Sequence, residues 1–121
     1  MNFSVSYNVI ESAGFSPPVT LLFATKGWGD GGYGWNSKRI YYYNGDIYRF
    51  LREVESFSSE CDEEKSVEIG WPSNPLDGGS NKNFLEIKTS HIFYTDCKPG
   101  EPEIWIDRYL WADNVLNFQG R

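Results

Sequence analysis

Apolar and polar residues alternate from the start of the chain. Residues 2–9 (NFSVSYNV) set Phe3, Val5, Tyr7 and Val9 against polar neighbours, the period-2 pattern of a half-buried strand. A turn region over residues 11–18 holds Gly14, Pro17 and Pro18. Residues 19–25 (VTLLFAT) then give a more continuous apolar run and predict a second, more buried strand; residues 38–43 (KRIYYY) predict a third. After Asp46 the period changes. Ile47, Phe50, Leu51, Val54 and Phe57 fall at the spacing of one helical face, whereas strict alternation would put Arg49 and Glu53 beside Ile47 and Leu51. Asn44-Gly45 is also a strong hairpin signal, with DIYRF as the return strand. The apolar spacing favours a helix capped by Asp46.

A short strand over 66–69, a long loop over 70–83, one bent or two short strands over 84–89 and 91–95, a turn at 98–102 and a strand over 103–111 complete the pattern. Short turns between successive strands imply antiparallel pairing. The expected fold is α+β: an antiparallel β-sheet of about five to seven strands with one main helix packed on one face, in a single domain over residues 1–121.

Composition sharpens this. Aromatic residues make up 17% of the chain, with a single Met, which suits a rigid, sheet-rich core rather than disorder. Seventeen acids against 11 bases give a net charge of −6. That field repels phosphate backbones and attracts basic proteins, so neither nucleic acid nor a membrane is the expected partner. The charge is concentrated: Glu53, Glu55, Glu60, Asp62, Glu63, Glu64 and Glu68 face only Lys65 within their stretch. Such a run is most simply a solvated turn; read more sharply, it is a docking surface for a cationic protein.

Candidate chemistry is sparse. Gly27, Gly29 and Gly32 match G-x-G-x-x-G after a strand, but a strand-like run follows where a phosphate-binding helix would start, and Asp30 would repel phosphate. The glycines are better read as a connection needing positive φ, or as a recognition loop that presents Trp28, Tyr33 and Trp35 as rigid anchors. His91, the only histidine, has apolar and aromatic neighbours and is expected to pack rather than to act as a base. No triad and no metal-ligand spacing can be assembled, so no enzyme activity, metal or cofactor is expected. Cys61 and Cys97 fit no metal pattern; a bridge between them is open, with a reduced intracellular pair the first expectation. The first residues lack the basic and apolar regions of a secretory signal, and no apolar run approaches membrane-spanning length, which points to the cytoplasm.

The order DIYRFLREVESF, SVEIGW, NFLEIKTSHIFY, EIWIDRYLW, covering about half of the chain, resembles small bacterial immunity proteins of polymorphic and contact-dependent inhibition toxins. The resemblance implies a helix lying on an antiparallel sheet and a cognate toxin as partner. It carries over no contact residues. The leading expectation is an immunity or inhibitor protein that binds a basic toxin, such as a nuclease, and occludes its active site. From the residues themselves, Glu60, Asp62, Glu63 and Glu64 would pair with its lysines or arginines, Trp28, Tyr33 and Trp35 would supply the desolvated anchor, and Asp30 is a further candidate contact. A phage-encoded inhibitor of a host defence nuclease shares the same physics. The alternative is a carbohydrate- or small-ligand-binding module that stacks sugars on exposed Trp and Tyr; Trp28, Trp35 and Trp71 lining one groove would mark it.

Overall fold

Tight turns decide the architecture. Asp113 and Asn114 both take positive φ, as do Asp96 and Cys97, and each pair joins two strands through a two-residue loop. Positive φ at both loop positions matches the right-handed twist of the strands it connects. In the computed structural model, which describes residues 2–77 and 83–120, the chain forms nine strands. They are β1 (Asn2–Ile10), β2 (Thr20–Asp30), β3 (Tyr33–Tyr43), β4 (Tyr48–Ser59), β5 (Glu63–Gly70), β6 (Phe84–Thr95), β7 (Lys98–Pro99), β8 (Glu103–Ala112) and β9 (Val115–Phe118). All pairing is antiparallel, in the order β1-β2-β3-β4-β5-β6-β8-β9, with β7 paired to β6.

The expected helix is absent, and the fold is all-β rather than α+β. The stretch from Ile47 to Phe57 is mostly β4, and its helical spacing has a strand explanation. Asn44 Oδ1 accepts hydrogen bonds from the amides of Asp46 and Ile47, and Gly45 takes φ +98°, so the chain turns back as a hairpin. The register then slips between Ile40 and Tyr41 of β3, where Leu51 of β4 is the extra residue. Phe50 pairs with Tyr41 and Phe57 with Trp35 on one face, while Val54 points to the core. Apolar residues on both faces of a bulged strand thus imitate a period of 3.6. The glycine-dense stretch 27–34 is likewise not a loop: β2 and β3 run through it to a two-residue turn at Gly31-Gly32. Residues 78–82 of the expected long loop lie outside the described residues.

The sheet folds over on itself at β4–β5. These strands pair only at Phe57↔Lys65, Ser58↔Glu64 and Ser59↔Glu63, then part. Beyond that hinge, Leu21, Phe23, Ile40, Tyr42 and Val54 from β2–β4 form one core with Leu85, Ile87, Tyr109, Trp111 and Leu116 from β6, β8 and β9. Rings meet across it: Tyr42 lies 5.8 Å from Trp111, and Phe23 lies 5.6 Å from Trp71. The segment between β1 and β2 closes one side with buried Ala13, Phe15 and Val19. It is tied down at Trp111, whose Nε1–H donates to Pro17 O at 2.8 Å, and at Asn83, whose amide bonds both backbone groups of Ser16. These bonds, at and near the surface, anchor an irregular segment whose Ala13, Phe15 and Val19 serve as core.

One polar pair spans the fold. Arg52 of β4 donates from Nη1 to Asp107 Oδ2 at 3.0 Å and to the Tyr109 hydroxyl at 3.2 Å, both on β8. Burial lowers the Arg52 pKa, but the bonds to Tyr109 and Asp107 outweigh it and hold the guanidinium above its ordinary value.

Candidate partner-binding surface

The register of β1–β4 aligns side chains in rows across the sheet. Phe3, Trp28, Trp35 and Phe57 form one row, directly opposite one another in turn. Val9, Leu22, Tyr41 and Phe50 form another, at the far end of the strands. Between them run Val5, Lys26, Ser37 and Glu55, then Tyr7, Ala24, Arg39 and Glu53. Because directly paired residues point the same way, all four rows share one face, the one turned away from the core. Phe3, Val5, Tyr7, Val9, Tyr48 and Phe50 are exposed there, Tyr7 at 73%. Its few charges are partly spoken for: Arg39 lies 3.8 Å from Glu53, Ser37 donates to Glu53, and Trp35 Nε1–H donates to Glu55 at 3.1 Å. The exposed apolar residues are continuous only along β1, from Phe3 to Val9, and meet Phe50 and Tyr48 at the far end; exposed apolar groups clustered in this way suit an interaction surface.

At one end of this face the structure brings together the two clusters singled out in the sequence. The Trp28 and Tyr33 rings pack against each other at 4.9 Å, tilted by 38°, beside the β2–β3 turn. The acid run passes from β4 through the β4–β5 turn, where the Glu60 amide donates to Gly32 O at 2.9 Å. The backbone of Tyr94 in β6 donates to Asp62 O at 2.8 Å. Cys61 and Cys97 are joined by a disulfide, which corrects the expectation of a reduced pair. Three turns are therefore locked together.

The acids at this end divide into two sets. Glu63 accepts from or pairs with His91 Nε2 at 2.7 Å, and Glu64 accepts from the Tyr94 hydroxyl at 3.0 Å. Both have partners within the fold and remain half-exposed. That bond to Glu64 raises the Tyr94 pKa, because ionising the phenol would remove the donated proton and, to a lesser degree, set two anions against each other. His91 is packed, stacked on Phe93 at 4.5 Å and edge-on to Phe57 at 6.0 Å. Asp30, Glu60 and Asp62 are exposed and enter no ion pair among the described residues.

The opposite face of the same end is open, and Trp28, Trp35 and Phe57 border it along with polar side chains. Gly27, Gly29 and Gly34 bare the backbone there and floor an open depression of about 580 Å³, whose lining includes Ser4, Asn36, Ser56, Ser58 and Glu64. Trp71 is not on either surface row; it packs against Phe23 in the interior. Among the described residues no group of three His, Cys, Asp or Glu could hold a metal, and no helix is long and apolar enough to cross a membrane.

Sequence reasoning missed most of the outer face. Phe3, Val5, Tyr7 and Val9 were expected to be half-buried, and Phe50 and Phe57 were expected to line a helix. The usable signal is that β1, β2 and β3 all carry apolar residues at positions the register aligns, on a face that no other strand among the described residues covers. In comparisons with protein-family models, with curated proteins and with solved structures, nothing matches this chain.

Proposed function

We propose that this chain is a non-catalytic protein-binding domain of the immunity or inhibitor kind, which covers the working surface of a cationic partner such as a toxin. One observation carries the reading: an aromatic sheet face with little net charge is rimmed at one end by an acidic turn that the disulfide holds in place. Apolar anchors surrounded by a polar rim are the anatomy of a protein interface. Trp28, Tyr33 and Trp35 would be desolvated on docking. Asp30, Glu60 and Asp62 would steer a basic partner in and pair at the rim; Glu63 and Glu64 would contribute field more than contact. The disulfide favours an oxidising setting for the working form, in place of the cytoplasm expected from the sequence.

The test is recovery of binding proteins from the source cells on immobilised wild-type chain and on two variants, Trp28→Ala/Trp35→Ala and Asp30→Lys/Glu60→Lys/Asp62→Lys. A basic protein held by the wild type and lost on the tryptophan variant is expected. For the charge-reversed variant, its association rate should fall and lose its salt dependence. An unchanged rate and salt dependence would remove the electrostatic part of the proposal.

A second reading rests on the row Trp28, Trp35 and Phe57, three rings in register on adjacent strands. Such a row is suited to stacking on an extended sugar chain. Quenching or shift of tryptophan fluorescence by soluble polysaccharides, abolished in Trp28→Ala/Trp35→Ala, would favour it over the protein partner.

A further inference from the structure

Strand β1 is an edge without protection. Among the described residues it pairs with β2 alone, and residues 3–9 are exposed on both of its faces. Natural edges are blunted by charges, proline, bulges or short length. Asn2–Ile10 has none of these: nine residues, NFSVSYNVI, with no charged residue, no proline, no glycine, and an unbroken register from Asn2↔Gly29 to Ile10↔Leu21. The opposite edge, β9, is four residues long.

We propose that β1 pairs with β1 of a second copy of this chain, antiparallel about a two-fold axis at Ser6. The strand is self-complementary in that arrangement. Centring on Ser6 sets Phe3 against Val9 and Val5 against Tyr7 on the outer face, and Ser4 against Asn8 on the other. An axis at a neighbouring odd position also matches faces but pairs two fewer residues. A one-residue slip would set apolar side chains against polar ones. No charge lies on the strand, so the net charge of −6 per chain is kept away from the contact. Two-fold pairing is a closed, isologous contact, which uses up the edge in both copies.

The exposed surface is large enough for this partner. The chain exposes 7393 Å², against about 6,700 Å² for a compact monomer of its mass. The excess is close to the roughly 800 Å² that each partner buries in a standard interface, and the doubly exposed β1 supplies part of it. Pairing also continues the outer aromatic face across both copies, so the bound surface proposed above would be doubled. The pairing itself does not depend on that reading, since it uses backbone groups and β1 side chains only.

Light scattering after size exclusion, over a concentration series, tests it. The wild type is expected at twice the 13.9 kDa chain mass. Val5→Lys/Tyr7→Lys, which sets lysine against lysine in this register, should run at the single mass; Val5→Lys/Tyr7→Glu, which sets lysine against glutamate, should restore the double mass. Ser6→Cys, a small change at an exposed position, should give a covalent dimer on oxidation, whereas Ser4→Cys should not. A wild type at the single mass throughout the series overturns the proposal. So does a doubly lysine-substituted variant that stays at the double mass, or equal cross-linking from both cysteine variants.

Discussion

Glu60 and Gly32 lie against each other so closely that no side chain fits between them. The Glu60 amide bonds Gly32 O at 2.9 Å, and a β-carbon built on Gly32 would fall 2.8 Å from Glu60 Cβ. This contact carries the acidic turn onto the aromatic hairpin. Gly32→Ala should therefore cost about 1–2 kcal/mol in urea unfolding. It should also speed amide exchange at Glu60, as the turn is pushed away. Gly34→Ala, with open space around its β-carbon and no positive φ, is the matched control and should cost nothing measurable.

The Arg52–Asp107 pair should behave as a buried charge pair does when half of it is removed. Asp107 is 1% exposed, so Arg52→Leu leaves a carboxylate in the core without its guanidinium. A loss of about 3 kcal/mol is expected, and the double variant Arg52→Leu/Asp107→Leu should be more stable than Arg52→Leu alone. Denaturant midpoints of the two variants decide this; equal midpoints would show that the guanidinium does not serve to neutralise Asp107.

What could be read from the sequence follows from how local each feature is. The first strands were legible because Phe3, Val5, Tyr7 and Val9 alternate and because residues 19–25 form a short apolar run, both decided by the pleat. The segment after Asp46 was misread because Phe50 and Phe57 serve the outer face and Val54 the core, with a bulge at Leu51 shifting the phase between them. Local periodicity cannot separate that arrangement from a helix, although Asn44-Gly45 signalled the hairpin. The acid run and the aromatic, glycine-rich stretch are each visible in the sequence, but their adjacency depends on the β4–β5 turn folding back beside the β2–β3 turn. The Cys61–Cys97 bond depends on β5 and β6 pairing so as to bring two turns to one end. Long-range register of this kind leaves no trace in a window of ten residues.

Tyr94 gives the fold a dependence on alkaline pH. Its phenol donates to Glu64, and its folded pKa is raised above 10.0 by that bond. A group whose pKa rises on folding stabilises the folded state fully below its unfolded value and loses that contribution as pH climbs through the folded value. The stability difference between wild type and Tyr94→Phe should thus be constant below pH 10.0 and shrink above it. Spectrophotometric titration should show one phenol fewer among the late-ionising tyrosines in the variant. A difference that stays constant through the alkaline range would show that the hydrogen bond contributes nothing.

The disulfide should matter more to the acidic end than to the sheet. Cys61 and Cys97 are 36 residues apart, and closing a loop of that length restricts the unfolded chain by about 4 kcal/mol in the chain-entropy description. Two hydrogen bonds would survive its loss, Glu60 to Gly32 and Tyr94 to Asp62, so the turns would remain neighbours with less constraint. Cys61→Ser/Cys97→Ser is expected to lower unfolding stability by about 2–4 kcal/mol, and reductant should lower the wild type to the same level without affecting the variant. In the folded variant, amide exchange should accelerate at Glu60 and Asp62 while the core amides of Leu21 and Ile87 keep their protection relative to the global stability. Acceleration spread evenly over the sheet would mean that the bond supports the whole fold, and that the acidic turn owes its position to β-pairing alone.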